Sequence, residues 1–209
     1  AFYDCDGLKA IVIPSTVTTI GASAFEGCDA LETLTIKNGV AKISANAFKG
    51  CKLIEKVVIP DSVKSIAASA FEGCSALTTV KVGNGVETIG ANAFKDCVAL
   101  KNITLGSKVV SLGNNVLGGC TSLTTIVIPN SVTELGDGAF SGCTKLSSIT
   151  LGSGIKKIGA NAYRDLDTLT EIVIPEGVTE IGEYAFYDCD GLKAIVIPST
   201  VTTIGASAF

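Results

Sequence analysis

Residues 123–143 read LTTIVIPNSVTELGDGAFSGC, and variants of this stretch recur every 23 residues along the whole chain. Ala-Phe pairs mark the period most plainly, because every interval between them is 23 residues or a multiple of 23. These pairs begin at Ala1, Ala24, Ala47, Ala70, Ala93, Ala139, Ala185 and Ala208, and Val116-Leu117 and Ala162-Tyr163 fill the two remaining registers. A fixed period of this length predicts a solenoid of stacked repeats.

The apolar positions inside one repeat predict its local structure. Ile126 and Ile128 alternate with polar or outward positions at a period of two, which is typical of a short strand with one buried face. Pro129 then ends the strand, and the same register holds Pro or Gly in every other coil except for Lys37. The Val-x-x-Leu-Gly stretch that follows predicts a second short strand or bridge.

The segment Ala-Phe-x-x-Cys is expected to form one helical or 3₁₀ turn that plugs the coil with the Phe ring. A single unit cannot bury its own apolar face, so neighbouring units must stack with their strands parallel. The predicted fold is therefore a repeat solenoid with short parallel β-strands and one helical or 3₁₀ turn per 23-residue coil. Residues 1–209 form one domain of nine coils.

The combined motif Leu-x-x-Ile-x-Ile-Pro-x-x-Val-x-x-Ile-Gly-x-x-Ala-Phe-x-x-Cys resembles the BspA-like leucine-rich repeat of bacterial and protist surface proteins. The resemblance covers the whole chain. It implies a leucine-rich-repeat solenoid, displayed outside the cell or on its surface and often linked to adhesion to host or matrix proteins. It carries over no catalytic residues, because the repeat motif has none.

Residues 1–25 and 185–209 are identical at all 25 positions, displaced by 184 residues or eight periods. The recurrence of an identical segment after eight coils predicts an eight-coil superrepeat, and it predicts that the chain is a fragment of a longer array. No polar capping coil is evident at either end, so both ends are expected to be uncapped. Such ends would continue into more chain or associate end to end with another copy.

Composition argues against several classes of function. The 16 basic residues are interspersed with 20 acidic ones and give no basic stripe for nucleic acid. Apolar runs such as residues 10–14 fall far short of the roughly 20 residues that span a bilayer. The chain has no His, hence no Ser-His-Asp or Cys-His site, and no phosphate-binding Gly-rich loop. We expect no enzyme activity, no cofactor and no membrane insertion.

Eight cysteines occupy one register of the repeat, and Leu166 replaces the ninth. Three interpretations remain open: buried reduced thiols, disulfides or a metal site. A register that accepts Leu favours a buried apolar filler, while a column of parallel side chains suits neither tetrahedral zinc nor a disulfide. This structural column comprises Cys5, Cys28, Cys51, Cys74, Cys97, Cys120, Cys143 and Cys189.

A binding face is predicted on the outer side of the first strand of each coil. Its side chains are mostly β-branched or hydroxylated, although Thr and Val also simply favour strands. The candidate residues are Thr33, Thr35, Lys56, Val58, Thr79, Lys81, Asn102, Thr104, Thr125, Val127, Ser148, Thr150, Glu171 and Val173.

Three functional hypotheses follow. The first is an extracellular surface solenoid that mediates adhesion or protein–protein interaction through this face. The second is a structural protein whose 184-residue blocks continue or stack into a fibre. The third is an intracellular scaffold. The predicted partners are a protein ligand or another copy of the chain.

Overall fold

A computed structural model describes all residues 1–209 and contains eighteen short β-strands and no helix. Each coil contributes two strands, the first of three or four residues and the second of two. The strands are β1 Ala10–Ile13, β2 Thr19–Ile20, β3 Thr33–Ile36, β4 Lys42–Ile43, β5 Lys56–Ile59, β6 Ser65–Ile66, β7 Thr79–Val82, β8 Thr88–Ile89, β9 Asn102–Thr104, β10 Ser111–Leu112, β11 Thr125–Val127, β12 Glu134–Leu135, β13 Ser148–Thr150, β14 Lys157–Ile158, β15 Glu171–Val173, β16 Glu180–Ile181, β17 Ala194–Val196 and β18 Thr203–Ile204.

The strands form two rows along the solenoid. Every hydrogen-bonded pair is parallel and joins residues 23 apart, such as Thr125 with Ser148 in the first row and Glu134 with Lys157 in the second. The predicted period, the parallel stacking and the second short strand are therefore confirmed.

The two rows differ in continuity. The even-numbered strands form one nine-stranded sheet from β2 to β18. The odd-numbered strands form four separate sheets, namely β1–β3, β5–β7–β9, β11–β13 and β15–β17. The first row is thus interrupted at three places: between β3 and β5, between β9 and β11, and between β13 and β15.

The interior is one continuous apolar core. Successive side chains of each odd-numbered strand point alternately into the core and outward. Ile126 and Ile128 are therefore only 3% and 1% exposed, while Val127 between them is 64% exposed. Aromatic rings from successive coils stack in a column through this core, with centroids 4.9–5.7 Å apart. Leu117 interrupts the column between Phe94 and Phe140.

No helix forms at Ala-Phe-x-x-Cys, so the structure does not support the expected helical turn there. Except at the chain ends, each such segment is a series of turns with one left-handed residue directly before the Ala position and another directly before the Cys position, for example Asn92 at φ 57° and Asp96 at φ 58°. A right-handed helix cannot continue through such residues. The peptide N–H groups alternate between two kinds of acceptor. Phe94 N bonds to Val116 O of the next coil at 2.9 Å, whereas Lys95 N bonds within the turn to Asn92 O at 3.1 Å.

Polar side chains at the turn after the first strand also join neighbouring coils. Asp61 Oδ1 accepts a hydrogen bond from Asn84 N at 2.7 Å, and Asn84 Oδ1 accepts one from Ser107 N at 3.1 Å. Asn130 Oδ1 accepts one from Ser153 N at 3.0 Å. These bonds satisfy backbone groups that the strand ladders leave free.

Candidate binding face and cysteine column

The fourteen residues of the predicted binding face lie in two outward rows on the odd-numbered strands. The strand pairing brings them together, because each residue sits beside its counterpart 23 positions away. Twelve of them are exposed, and Thr35 and Thr79 are half-buried. The rows are Thr33, Lys56, Thr79, Asn102, Thr125, Ser148 and Glu171, and Thr35, Val58, Lys81, Thr104, Val127, Thr150 and Val173.

None of these fourteen side chains forms a hydrogen bond or a salt bridge within the chain. Their sequence neighbours behave differently, since the Thr78 hydroxyl donates to Glu55 O at 3.0 Å. Polar groups on the second row of strands also pair, as Lys157 Nζ does with Glu180 Oε1 at 2.7 Å. The polar side chains of the predicted binding face are therefore left to solvent.

The face combines hydroxyls with exposed aliphatic side chains and carries little charge. Val58, Val127 and Val173 are 60%, 64% and 81% exposed, and its ionised groups are two lysines and one glutamate. The structure adds two members that the sequence analysis missed, Val12 and Val196, which occupy the same register and are also exposed. Both valines directly precede Ile-Pro in the sequence, as Val58, Val127 and Val173 do. That shared position would have allowed them to be predicted.

The cysteines form a column on the inner side of the turn segments, and all eight are free thiols. Seven of them donate the S–H to the backbone carbonyl of the aromatic position in the preceding coil, as Cys97 Sγ does to Phe71 O at 3.2 Å. The S···O distances in the column run from 2.9 to 3.2 Å. The cysteines are therefore hydrogen-bond donors as well as buried apolar side chains. The sequence did not indicate the donor role, because Leu166 occupies the same register and its side chain has no donor.

Burial suppresses the acidity of these thiols. Removal from water raises the pKa of Cys51 and Cys143 to about 12 and that of Cys189 to about 11. The pKa values of Cys74, Cys97 and Cys120 are raised well above the usual range for the same reason. Because the thiolate is the nucleophile and the metal ligand, burial favours the unreactive protonated form of these six thiols at neutral pH.

No group of three or more His, Cys, Asp or Glu side chains is arranged to hold a metal ion. No helix has the length and apolar character that crossing a bilayer would require.

Comparison with known families and structures identifies the repeat. The model of the BspA type leucine rich repeat region, with six copies, matches residues 1–124 and 87–209. Comparison with curated proteins finds no match.

Solved structures agree with this family. A leucine-rich repeat protein of T. pallidum is 28% identical with a TM-score of 0.65, and the match covers 95% of this chain and 73% of that one. A leucine-rich cell surface protein of Faecalibacterium prausnitzii is 28% identical with a TM-score of 0.56, over 99% of this chain and 62% of that one. A leucine-rich repeat protein of Eubacterium ventriosum, 20% identical with a TM-score of 0.56 over 98% of this chain and 82% of its own, shares the fold. The chain belongs to the family of BspA type leucine-rich repeat proteins.

Proposed function

We propose that the chain is a non-enzymatic solenoid, displayed outside the cell or on its surface, that binds protein partners through the binding face. One observation carries the proposal: fourteen aligned outward side chains, eleven of them polar, have no partner within the chain. Membership of the BspA type family and similarity to a protein described as a cell surface protein support protein–protein interaction or adhesion. The extended surface of a solenoid suits a large protein ligand.

The small number of charged side chains on the binding face suits adhesion to proteins more than to strongly charged polymers. Two lysines and one glutamate leave it nearly neutral, so long-range electrostatic steering is weak. Affinity must then come from aliphatic burial and from hydrogen bonds by the hydroxyl groups. Both are short-range contacts that need a complementary protein surface.

The test is binding of the purified chain to immobilised collagen, laminin and fibronectin, measured by surface plasmon resonance. A face variant, T79E/T125E/T150E, is compared with a control that carries the same changes on the second row, T19E/T88E/T203E. We expect saturable binding to at least one protein, weakened at least tenfold by the face variant and within twofold of the parent in the control. Equal loss in both variants, or no binding by the parent, would refute the proposal.

A second candidate is a structural role in which blocks of eight coils follow one another. The identical segments 1–25 and 185–209 favour it, because the stacking of Phe2 on Phe25 at 5.1 Å recurs between Phe186 and Phe209 at 5.3 Å. Blocks joined at this point would keep one stacking geometry throughout. Negative-stain electron microscopy distinguishes the two roles: rods of variable length support the fibre, and short particles of uniform length contradict it.

A further inference from the structure

Two Asn-Gly pairs occupy the same turn of the repeat in different coils. Asn38-Gly39 follows β3 and Asn84-Gly85 follows β7, and in both cases the next residue is Val. Both asparagine residues are exposed. An Asn-Gly pair is prone to lose ammonia from the Asn side chain, because glycine has no Cβ to hinder attack by its own backbone nitrogen. Since the two pairs share their local sequence up to the following residue, a difference in their chemistry must come from the fold.

The attacking nitrogen is hydrogen-bonded at one pair and free at the other. Gly39 N donates to Ser62 Oγ at 2.9 Å, whereas Gly85 N has no acceptor. The cause lies in the next coil. Ser62 stands 23 residues after Gly39, while the residue 23 positions after Gly85 is Lys108, whose side chain has no hydroxyl. The lone pair and the N–H of Gly85 are therefore not held by the neighbouring coil.

The side-chain carbonyl that is attacked differs as well. Asn84 Oδ1 accepts two hydrogen bonds, from Ser107 N at 3.1 Å and from Ser107 Oγ at 3.2 Å. Asn38 Oδ1 accepts one, from Ser62 N at 3.2 Å. Donors on a carbonyl oxygen stabilise the negative charge that develops there when a nucleophile adds to the carbon. Asn84 thus combines the free nitrogen with the more strongly polarised carbonyl.

We propose that Asn84 is a site of spontaneous deamidation in the folded chain and that the same turn protects Asn38. Gly85 N forms a bond to Asn84 Cγ, and the bond from Cγ to Nδ2 breaks. The proton of the Gly85 N–H passes through solvent to Nδ2, which leaves as ammonia. Water then opens the cyclic imide at either of its carbonyls and gives aspartate or isoaspartate at position 84.

The fold accepts the first of these products. Asp61 occupies the same register one coil earlier, and its Oδ1 accepts a hydrogen bond from Asn84 N at 2.7 Å. An aspartate at position 84 can accept from Ser107 N in the same way. Isoaspartate instead lengthens the main chain by one carbon between β7 and β8.

Either product adds one negative charge to a chain whose formal net charge is −4. Position 84 comes two residues after Val82, the last residue of β7, so the new carboxylate lies at the edge of the binding face. The modification does not depend on the proposed function, because it needs only water and the chain itself.

The first experiment compares the two sites within one molecule. The unmodified chain is incubated at pH 8 and 37 °C, and tandem mass spectrometry of tryptic peptides follows the conversion of amide to acid at each asparagine. We expect Asn84 to react at least tenfold faster than Asn38 in the native chain, and the two rates to lie within threefold of each other in guanidinium chloride. Equal rates in the native chain, or no reaction at Asn84, would overturn the proposal.

Lys108→Ser tests the role of the free N–H. In another coil Thr200 Oγ1 accepts from Gly177 N at 3.1 Å, so a hydroxyl at this register can hold the glycine. The substitution should slow the reaction of Asn84 at least fivefold. Lys108→Ala removes the lysine without adding a hydroxyl and should stay within twofold of the parent. An unchanged rate in Lys108→Ser, or equal slowing in both variants, contradicts the mechanism.

Two serine variants test the remaining contacts. Ser107→Ala removes one donor from the Asn84 carbonyl and should slow its reaction at least twofold, whereas Ser153→Ala, at the same register two coils later, should have no effect. Ser62→Ala frees the glycine N–H after Asn38 and should speed the reaction there at least fivefold. Failure of both Ser107→Ala and Ser62→Ala to change the rates would refute the assigned contacts.

Hydrogen exchange of the unmodified chain provides a test that needs no variant. The Gly85 amide should exchange faster than the Gly39 amide, because only the latter is hydrogen-bonded. Slower exchange at Gly85 would show that its N–H is bonded in solution and would overturn the proposal. Circular dichroism establishes that each variant is folded, since unfolding by itself would equalise the two sites.

Discussion

Tyr163 is the one place where the aromatic column carries a polar group. The side chain is 0% exposed, and its hydroxyl has no hydrogen-bond partner. Its ring stacks between Phe140 and Phe186 at 5.7 and 4.9 Å, tilted by 15° and 18°. Ring pairs among the first five coils are tilted by at most 11°. Phe in place of Tyr163 removes the unpaired hydroxyl and keeps the ring.

We expect Tyr163→Phe to stabilise the chain. Leaving a buried hydroxyl unsatisfied costs about 1–3 kcal/mol, and the substitution removes that cost with little loss of packing. For a domain of this size, each kcal/mol raises Tm by about 2–4 °C. Burial raises the pKa of the Tyr163 phenol, so the hydroxyl is neutral near pH 7 and the gain comes from desolvation. Urea unfolding followed by circular dichroism, with Tm from calorimetry, measures the effect.

Two variants control this experiment. Tyr187→Phe removes a hydroxyl from a half-buried side chain and should change stability by less than about 0.5 kcal/mol. Phe71→Tyr places a hydroxyl in a fully buried ring position between Phe48 and Phe94 and should destabilise by about 1–3 kcal/mol. If Tyr163→Phe leaves stability unchanged or lowers it, the hydroxyl is hydrogen-bonded in solution and the reasoning fails.

Three further outcomes are expected. Tyr184→Asn should stabilise by about 1 kcal/mol in urea unfolding, because Tyr184 has φ 54° at a register where the other coils have Ser, Asn or Gly, and no gain would contradict this. Cys97→Ala should destabilise by about 1–2 kcal/mol by loss of packing and of the bond to Phe71 O, with Cys97→Ser closer to the parent. The contribution of the buried thiols to the free energy of unfolding is present below pH 9 and is lost between about pH 9 and 12. The folded pKa values of Cys51 and Cys143 are raised to about 12, so the native state keeps protons that the unfolded state releases. The melting temperature should therefore fall less between pH 8 and pH 10.5 in a variant with Cys51 and Cys143 replaced by Ala than in the parent chain.

The sequence predicted the solenoid because the period is strict. Residues such as Ile126 and Ile128 recur 23 positions apart in apolar form, and only stacked parallel strands bury such columns together. The same alternation placed Thr125 and Val127 on the outer face, so the candidate binding residues could be named from the sequence. The strand–turn order followed from Pro129 and its counterparts.

The turn at Ala-Phe-x-x-Cys could not be assigned in the same way. Its apolar spacing is compatible with a helical turn, in which every N–H group would bond within the segment. In the structure only alternate N–H groups do so, and those between them bond to the next coil. Phe94 N bonds to Val116 O, 22 residues away, and the left-handed residues Asn92 and Asp96 allow that direction. Contacts between coils override the local preference of a segment this short.

The sequence by itself determined the period, the inward and outward positions, and the family of this protein, because these depend on patterns that repeat within each coil. The tertiary structure decided which coils are hydrogen-bonded to their neighbours, which thiols donate to which carbonyls, and that Tyr163 has no partner. These features depend on how two different coils fit together. Coils that share one repeat pattern can still differ in whether their first strands are hydrogen-bonded to those of the next coil, which no single repeat reveals.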